Sequence, residues 1–188
     1  MKLETNFSNL IERNRRFLRT NEDFKALSTG QRPEYVVIGC SDSRTTPTIV
    51  ADSRLGEMFE IRLAGGIIDD ASLASIEYAV LHLGTKKVLI MAHTGCGAVT
   101  EAQKMLVSGT KGSSVADDTA LERLAHCIYD NIKGNPKNAT DLTNAVLDNA
   151  KVQKEILEKS GIIRHAMESG LEIEIGLYNI ETGELKIV

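Results

Sequence analysis

Two short apolar runs, Tyr35-Val36-Val37-Ile38 and Val88-Leu89-Ile90-Met91, most constrain the fold of this chain. Each has the length and β-branched content of a buried strand, and each runs directly into a loop rich in chemically active residues. The first loop is Cys40-Ser41-Asp42-Ser43-Arg44, and the second is His93-Thr94-Gly95-Cys96-Gly97. If both strands belong to one parallel sheet, their carboxyl ends lie together, which is where ligand sites of such sheets form. One thiol then meets one imidazole and a second thiol.

The remaining pattern supplies strands and helices in alternation. Residues 34–40 read as the first strand, Met58–Leu63 as the second, 87–92 as the third and 171–178 as the fourth, with 185–188 as a short edge strand. Between them, helical spacing covers 71–83, 97–107, 117–132, 139–159 and 161–168. Thr46-Pro47 has the form of an N-cap followed by proline at the first helical position, opening a short helix toward Asp52. The expected fold class is therefore α/β, a mainly parallel central sheet flanked by helices with a C-terminal edge strand. One domain over 1–188 is expected, with an N-terminal helical arm at 1–30 and an α/β core at 34–188. In the arm, Leu3, Phe7, Leu10, Ile11, Phe17 and Leu18 share one helical face, which either packs on its own core or covers a partner subunit.

Composition narrows the function classes. A net charge of −4 argues against a general nucleic-acid surface. No apolar run reaches transmembrane length, and the charged N-terminus has no signal-peptide core. Three cysteines are too few and odd in number for a disulfide framework, which suggests a cytoplasmic protein with free thiols available to a metal.

The donor set points to zinc, which takes thiolate and imidazole ligands in tetrahedral coordination. Cys40, His93 and Cys96 supply three, leaving a fourth position for water, as catalytic zinc sites do. Cys127 and His126 sit in a helical pattern with no tight spacing to either loop. Two thiolates cancel the charge of the ion and acidify water less than neutral ligands would, so a hydrogen-bond acceptor for that water is needed. Asp42 is placed for that role, with Arg44 keeping it ionised and off the metal. A plain structural ion pair is the alternative. His82, His126 and His165 are conceivable proton relays, though each also reads as an ordinary histidine. Gly109–Ser114 suggests a nucleotide loop but lacks P-loop spacing.

These residues closely resemble the β-class carbonic anhydrases, which carry C-x-D-x-R at one strand end and H-x-x-C at a later one. The likeness continues through Gly56–Arg62, Glu77–Val80 and Gly176–Asn179, covering roughly residues 34–188. It implies zinc (Zn2+) held by Cys40, His93 and Cys96, an Asp42–Arg44 dyad, and reversible hydration of carbon dioxide to bicarbonate and a proton by zinc-bound hydroxide. It also implies a homodimer or higher homo-oligomer, with the N-terminal helix reaching over the neighbour. A hydrolase of carbon disulfide or carbonyl sulfide on the same scaffold is the nearest alternative, and a non-catalytic zinc-binding homologue the next.

The chain departs from the family in three places. The family usually reads Arg-Asn-x-x-Asn after the second strand, whereas Arg62-Leu63-Ala64-Gly65-Gly66 carries neither Asn. Ala92 replaces the Gly common before the ligand His, and Val37 replaces a Trp that some members use to hold regulatory bicarbonate. Phe59 and Tyr78 match pocket positions of some members and read equally well as core aromatics.

Overall fold

The computed structural model describes residues 7–20, 24–109 and 119–188. The chain divides into two compact units, Met1–Gln31 and Arg32–Val188. In the first, α1 (Phe7–Thr20) and the short α2 (Phe24–Leu27) place Phe17 and Phe24 edge to face, with ring centroids 5.7 Å apart. Phe7, Leu10, Ile11, Phe17 and Leu18 on α1 are all exposed. Leu3, which the helical spacing also included, lies outside the described residues.

In the second unit, five strands of the described residues form one sheet in the order β2-β1-β3-β4-β5. These are β1 (Tyr35–Cys40), β2 (Met58–Leu63), β3 (Lys87–His93), β4 (Glu172–Tyr178) and β5 (Leu185–Ile187). The β1–β2, β1–β3 and β3–β4 pairs are parallel, and β5 joins antiparallel. The expected mainly parallel sheet flanked by helices is therefore the observed one. The interior strand β1 buries Val36, Val37 and Ile38 without alternation, as a strand covered on both faces must. β4 alternates instead: Ile173 and Ile175 are buried, and Glu172 and Glu174 are exposed.

The crossovers are α3 (Pro47–Val50), α4 (Asp70–Leu83), α5 (Gly97–Ser108), α6 (Ala120–Ile132), α7 (Leu142–Lys159) and α8 (Gly161–Glu168). Two buried clusters result. Ile76 and Ala79 of α4, Leu157 of α7 and Ile163 of α8 pack with Ile38, Val88 and Ile90. Val99 and Ala102 of α5, Ile128 and Ile132 of α6, and Ala145 and Val146 of α7 enclose Cys40 and Cys96. The long helix α7 contributes to both.

Some local expectations change in detail. Residues 136–139 form a separate 3-10 turn before α7, where Asn135 and Asn138 donate to Asp148. Thr46 stands at the N-cap of α3, yet its hydroxyl makes no cap and instead accepts a hydrogen bond from Arg62 at 3.2 Å. Ala64–Gly66 is a 3-10 turn, with Gly65 and Gly66 at φ of 73° and 65°. Gly109 caps α5 in the left-handed region, and the rest of the Gly109–Ser114 stretch lies outside the described residues.

Two predictions test this framework. Asp69 caps α4, accepting from the Ser72 N–H at 2.8 Å while Ser72 Oγ accepts from the Asp69 N–H at 2.7 Å. The Ser72 N–H holds the Asp69 carboxyl below its ordinary range, so the stabilisation is present above the unfolded-state value and is lost as pH falls through the folded one. Asp69→Ala is expected to cost about 1 kcal/mol in denaturant unfolding at neutral pH, the difference shrinking in acid. At Gly65, an added Cβ would meet the buried Ile128 Cδ1 at 2.6 Å, at a φ that L side chains rarely adopt. Gly65→Ala is expected to cost about 2–3 kcal/mol, from left-handed strain and a displaced Ile128 rotamer, read as a Tm lower by roughly 5–10 °C.

Candidate metal centre

The parallel register sets Gly39 of β1 beside Met91 of β3, so the two strands finish side by side. Cys40 is the last residue of β1 and His93 the last of β3. Cys96 follows three residues later, at the N-cap of α5. One donor atom from each of the three residues lies within 4.8 Å of the others, and all three residues are buried. Among the described residues this is the one group of three or more such side chains positioned to hold a metal ion.

Local geometry explains each placement. The turn after β3 is held to β4, as the Thr94 N–H donates to the Tyr178 carbonyl at 3.0 Å and Thr94 Oγ1 accepts from the Ile180 N–H at 3.1 Å. Gly95 completes the turn at φ 66°, where an added Cβ would press on Ile180 at 3.1 Å. His93 Nδ1 lies 3.0 Å from the Thr94 carbonyl. A carbonyl only accepts, so Nδ1 carries the proton and Nε2 keeps its lone pair. Nε2 is buried and has no hydrogen-bond partner. A buried polar nitrogen without a partner is costly, and metal coordination is the usual way to satisfy one.

The two sulfurs are 3.9 Å apart. The Cys40 thiol is lowered, chiefly because the Cys96 thiol donates to it and despite opposition from burial. The Gly65 N–H adds a hydrogen bond to Cys40 Sγ at 3.3 Å. Cys96 is pushed up in turn, by its bond to the Cys40 thiolate and by burial. Opposed shifts on neighbouring thiols disfavour ionising both, and a divalent cation would reverse that by displacing their protons. Two thiolates and a neutral imidazole form a soft three-donor set, so these residues fit zinc and leave room for one further ligand.

Asp42 and Arg44 sit in the loop after Cys40. Asp42 Oδ1 accepts from the Arg44 backbone N–H at 3.0 Å and from Nε at 2.9 Å, and Oδ2 accepts from Nη2 at 2.7 Å. This two-pronged clamp keeps the Asp42 carboxyl well below the usual carboxylate range. The Asp42 side chain is 16% exposed and that of Arg44 56%, so the carboxylate is sheltered while its partner faces water.

The loop is strapped by residues that sequence spacing did not single out. Arg62 on β2 donates from Nε to the Cys40 carbonyl at 3.1 Å and from Nη2 to the Asp42 carbonyl at 2.6 Å. Thr45, fully buried, donates toward the Asp42 carbonyl at 3.1 Å. The available signal was a cationic residue near the end of a half-buried strand, opposite Gly39 in the register. Asn149 of α7 donates from Nδ2 to the Gly65 carbonyl at 2.8 Å and, like Cys40 and Gly65, lines a small cavity beside the cluster.

Other residues raised by the sequence stand apart from the cluster. Cys127 is an exposed thiol on α6. His165 is exposed beside Glu168. The His82 ring is 5.2 Å from that of Tyr78, which is itself 6.4 Å from Phe59. Val37 is buried in β1.

Comparison with known proteins gives a consistent result. A family profile described as carbonic anhydrase matches residues 35–185. Carbonic anhydrase 2 of Mycobacterium tuberculosis H37Rv is 42% identical over 99 residues, 53% of this chain and 47% of that protein. The chain thus aligns with about half the length of that relative. A carbonic anhydrase of Mycolicibacterium smegmatis is 31% identical over 163 residues, 86% of this chain and 78% of that one. A tetrameric β-carbonic anhydrase from Sordaria macrospora superposes with a TM-score of 0.81 at 26% identity, covering 97% of this chain and 96% of the other. By sequence profile, by relatives and by fold, the chain belongs to the β-class carbonic anhydrase family.

Proposed function

We propose that this chain is a carbonic anhydrase that catalyses the reversible hydration of carbon dioxide to bicarbonate and a proton, with one zinc held by Cys40, His93 and Cys96. The observation that carries the reading is the convergence of three buried donors, one of them a histidine nitrogen with no other partner. Zinc, when bound, supplies a Lewis acid that makes water nucleophilic near neutral pH. The rest of the work falls to the chain. The Thr94 carbonyl fixes the tautomer and tilt of His93. The Asp42 carboxylate, held ionised by Arg44, retains lone pairs to accept a hydrogen bond from the attacking water and so aim its oxygen at the substrate carbon. Arg62 and Thr45 hold Cys40 and Asp42 in fixed relation.

The same reading makes residues 34–188 the zinc-binding core and residues 1–30 an N-terminal arm of one domain. The exposed apolar face of α1 suits a neighbouring copy, and the Sordaria macrospora relative is described as tetrameric. Free thiols at the cluster suit a reducing cytoplasm. No helix of the described residues is long and apolar enough to cross a membrane.

Zinc-loaded protein is expected to hydrate carbon dioxide in a stopped-flow pH-indicator assay and to release little hydrogen sulfide from carbonyl sulfide or carbon disulfide. Sulfide release without hydration would assign it to the hydrolases, and neither activity would leave a zinc-binding protein. Asp42→Ala is expected to keep about one zinc per chain by metal analysis while turnover falls at least about 100-fold; unchanged turnover removes Asp42 from the mechanism. Light scattering is expected to return a multiple of the 20.5 kDa chain mass, and a monomer would refute the assembly.

A further inference from the structure

Asn149 is 3% exposed on α7, among Ala145, Val146 and Ala150 of the apolar layers. A carboxamide there is costly unless its hydrogen bonds are made. Both polar atoms of the Asn149 side chain have partners. Its Nδ2 donates to the Gly65 carbonyl at 2.8 Å, and its Oδ1 accepts from Asn131 Nδ2 at 2.9 Å. Gln153, one turn on and 1% exposed, donates to the Asn149 carbonyl at 3.3 Å and accepts from the Ile68 N–H at 2.8 Å. Two buried amides of one helix thus grip both ends of the Gly65–Ile68 segment.

That segment carries a backbone donor to a metal-ligand sulfur, the Gly65 N–H at 3.3 Å from Cys40 Sγ. The N–H reaches the sulfur because Gly65 adopts φ 73°. Glycine has no intrinsic preference for that conformation over its mirror image, so an outside constraint must select it. The segment is also where the chain lacks both asparagines that the family pattern places after the second strand.

We infer that Asn149 is a positioning residue for the metal centre: by holding the Gly65 carbonyl it keeps the Gly65 N–H on Cys40 Sγ and so sets how strongly that thiolate donates to the metal. The inference rests on the zinc reading above. An N–H on a thiolate withdraws electron density from sulfur, so losing it raises the energy of the sulfur lone pair. A sulfur-to-metal charge-transfer band then moves to longer wavelength, while the ligand, freed of its support, releases metal faster. The Thr94 carbonyl orients His93 in a comparable way, but through a neighbour in sequence; Asn149 acts from 84 residues away.

The test uses the full chain loaded with cobalt(II) in place of zinc. Asn149→Asp keeps the shape and the oxygen facing Asn131 but removes the donor to Gly65. Its thiolate-to-cobalt band is expected to shift to longer wavelength, with cobalt released to a chelator about 10- to 100-fold faster than from wild type. Asn131→Ala, which frees the far side of the same carboxamide, is expected to give a smaller shift of the same sign and covers the case in which Asn149→Asp does not fold. Asn144→Ala breaks bonds to Asn138 and Asp148 on the same helix without touching Gly65, and is expected to leave the band in place. A folded Asn149→Asp with wild-type band and release rate overturns the inference, as does an unmoved band in Asn131→Ala if Asn149→Asp cannot be made. An equal shift in Asn144→Ala also overturns it. A wild-type protein with no thiolate band overturns the metal centre itself, a result separate from any difference between variants.

Discussion

Everything at this centre depends on the parallel pairing of β1 with β3. Parallel strands end at the same side of a sheet, so ligands 53 residues apart in sequence arrive together without any long loop having to reach. The pairing is stabilised from within, because Val36, Val37, Ile38, Val88 and Ile90 are all nearly or fully buried. The residues that make the sheet are therefore the ones that locate the donors. Cys96 alone depends on a turn, and that turn is tied to β4 by two hydrogen bonds.

The second constraint is electrostatic. Two sulfurs at 3.9 Å in an apolar layer repel each other if both are ionised, and a cation beside them would remove that cost. Asp42 faces the opposite situation. Its charge is compensated by Arg44 before any ion is considered, which suits the orienting role proposed for it. The three candidate donors and the carboxylate thus differ in how far their polar atoms are already partnered.

Much of this was legible in the sequence, for physical reasons. Buried parallel strands announce themselves as continuous apolar runs, and β1 and β3 do so. Donor spacing in His93-x-x-Cys96 and the short Cys40-x-Asp42-x-Arg44 stretch act locally, so linear distance approximates spatial distance. What escaped was long-range. Arg62 lies 22 residues from the carbonyl it grips, and Asn149 lies 84 from its own. Asn149 does not differ in pattern from an ordinary helix residue, and the charge at Arg62 does not say which carbonyls it grips. Pro136 escaped only partly: it marked a break, but whether the chain resumed as α-helix or as a 3-10 turn depended on Asn135 and Asn138 finding Asp148.

Arg62 changes what the Cys40–Arg44 stretch should be taken to be. One guanidinium holds the carbonyls at both ends of Cys40-Ser41-Asp42, so ligand and carboxylate form a rigid unit whose third point of attachment is on another strand. The five-residue pattern is thus the visible half of a discontinuous motif. Transplanted alone onto a different strand end, it would carry its thiol and its ion pair intact but lose the fixed span between them. A search for such sites gains discrimination by requiring an arginine one strand away in register with the glycine before the cysteine.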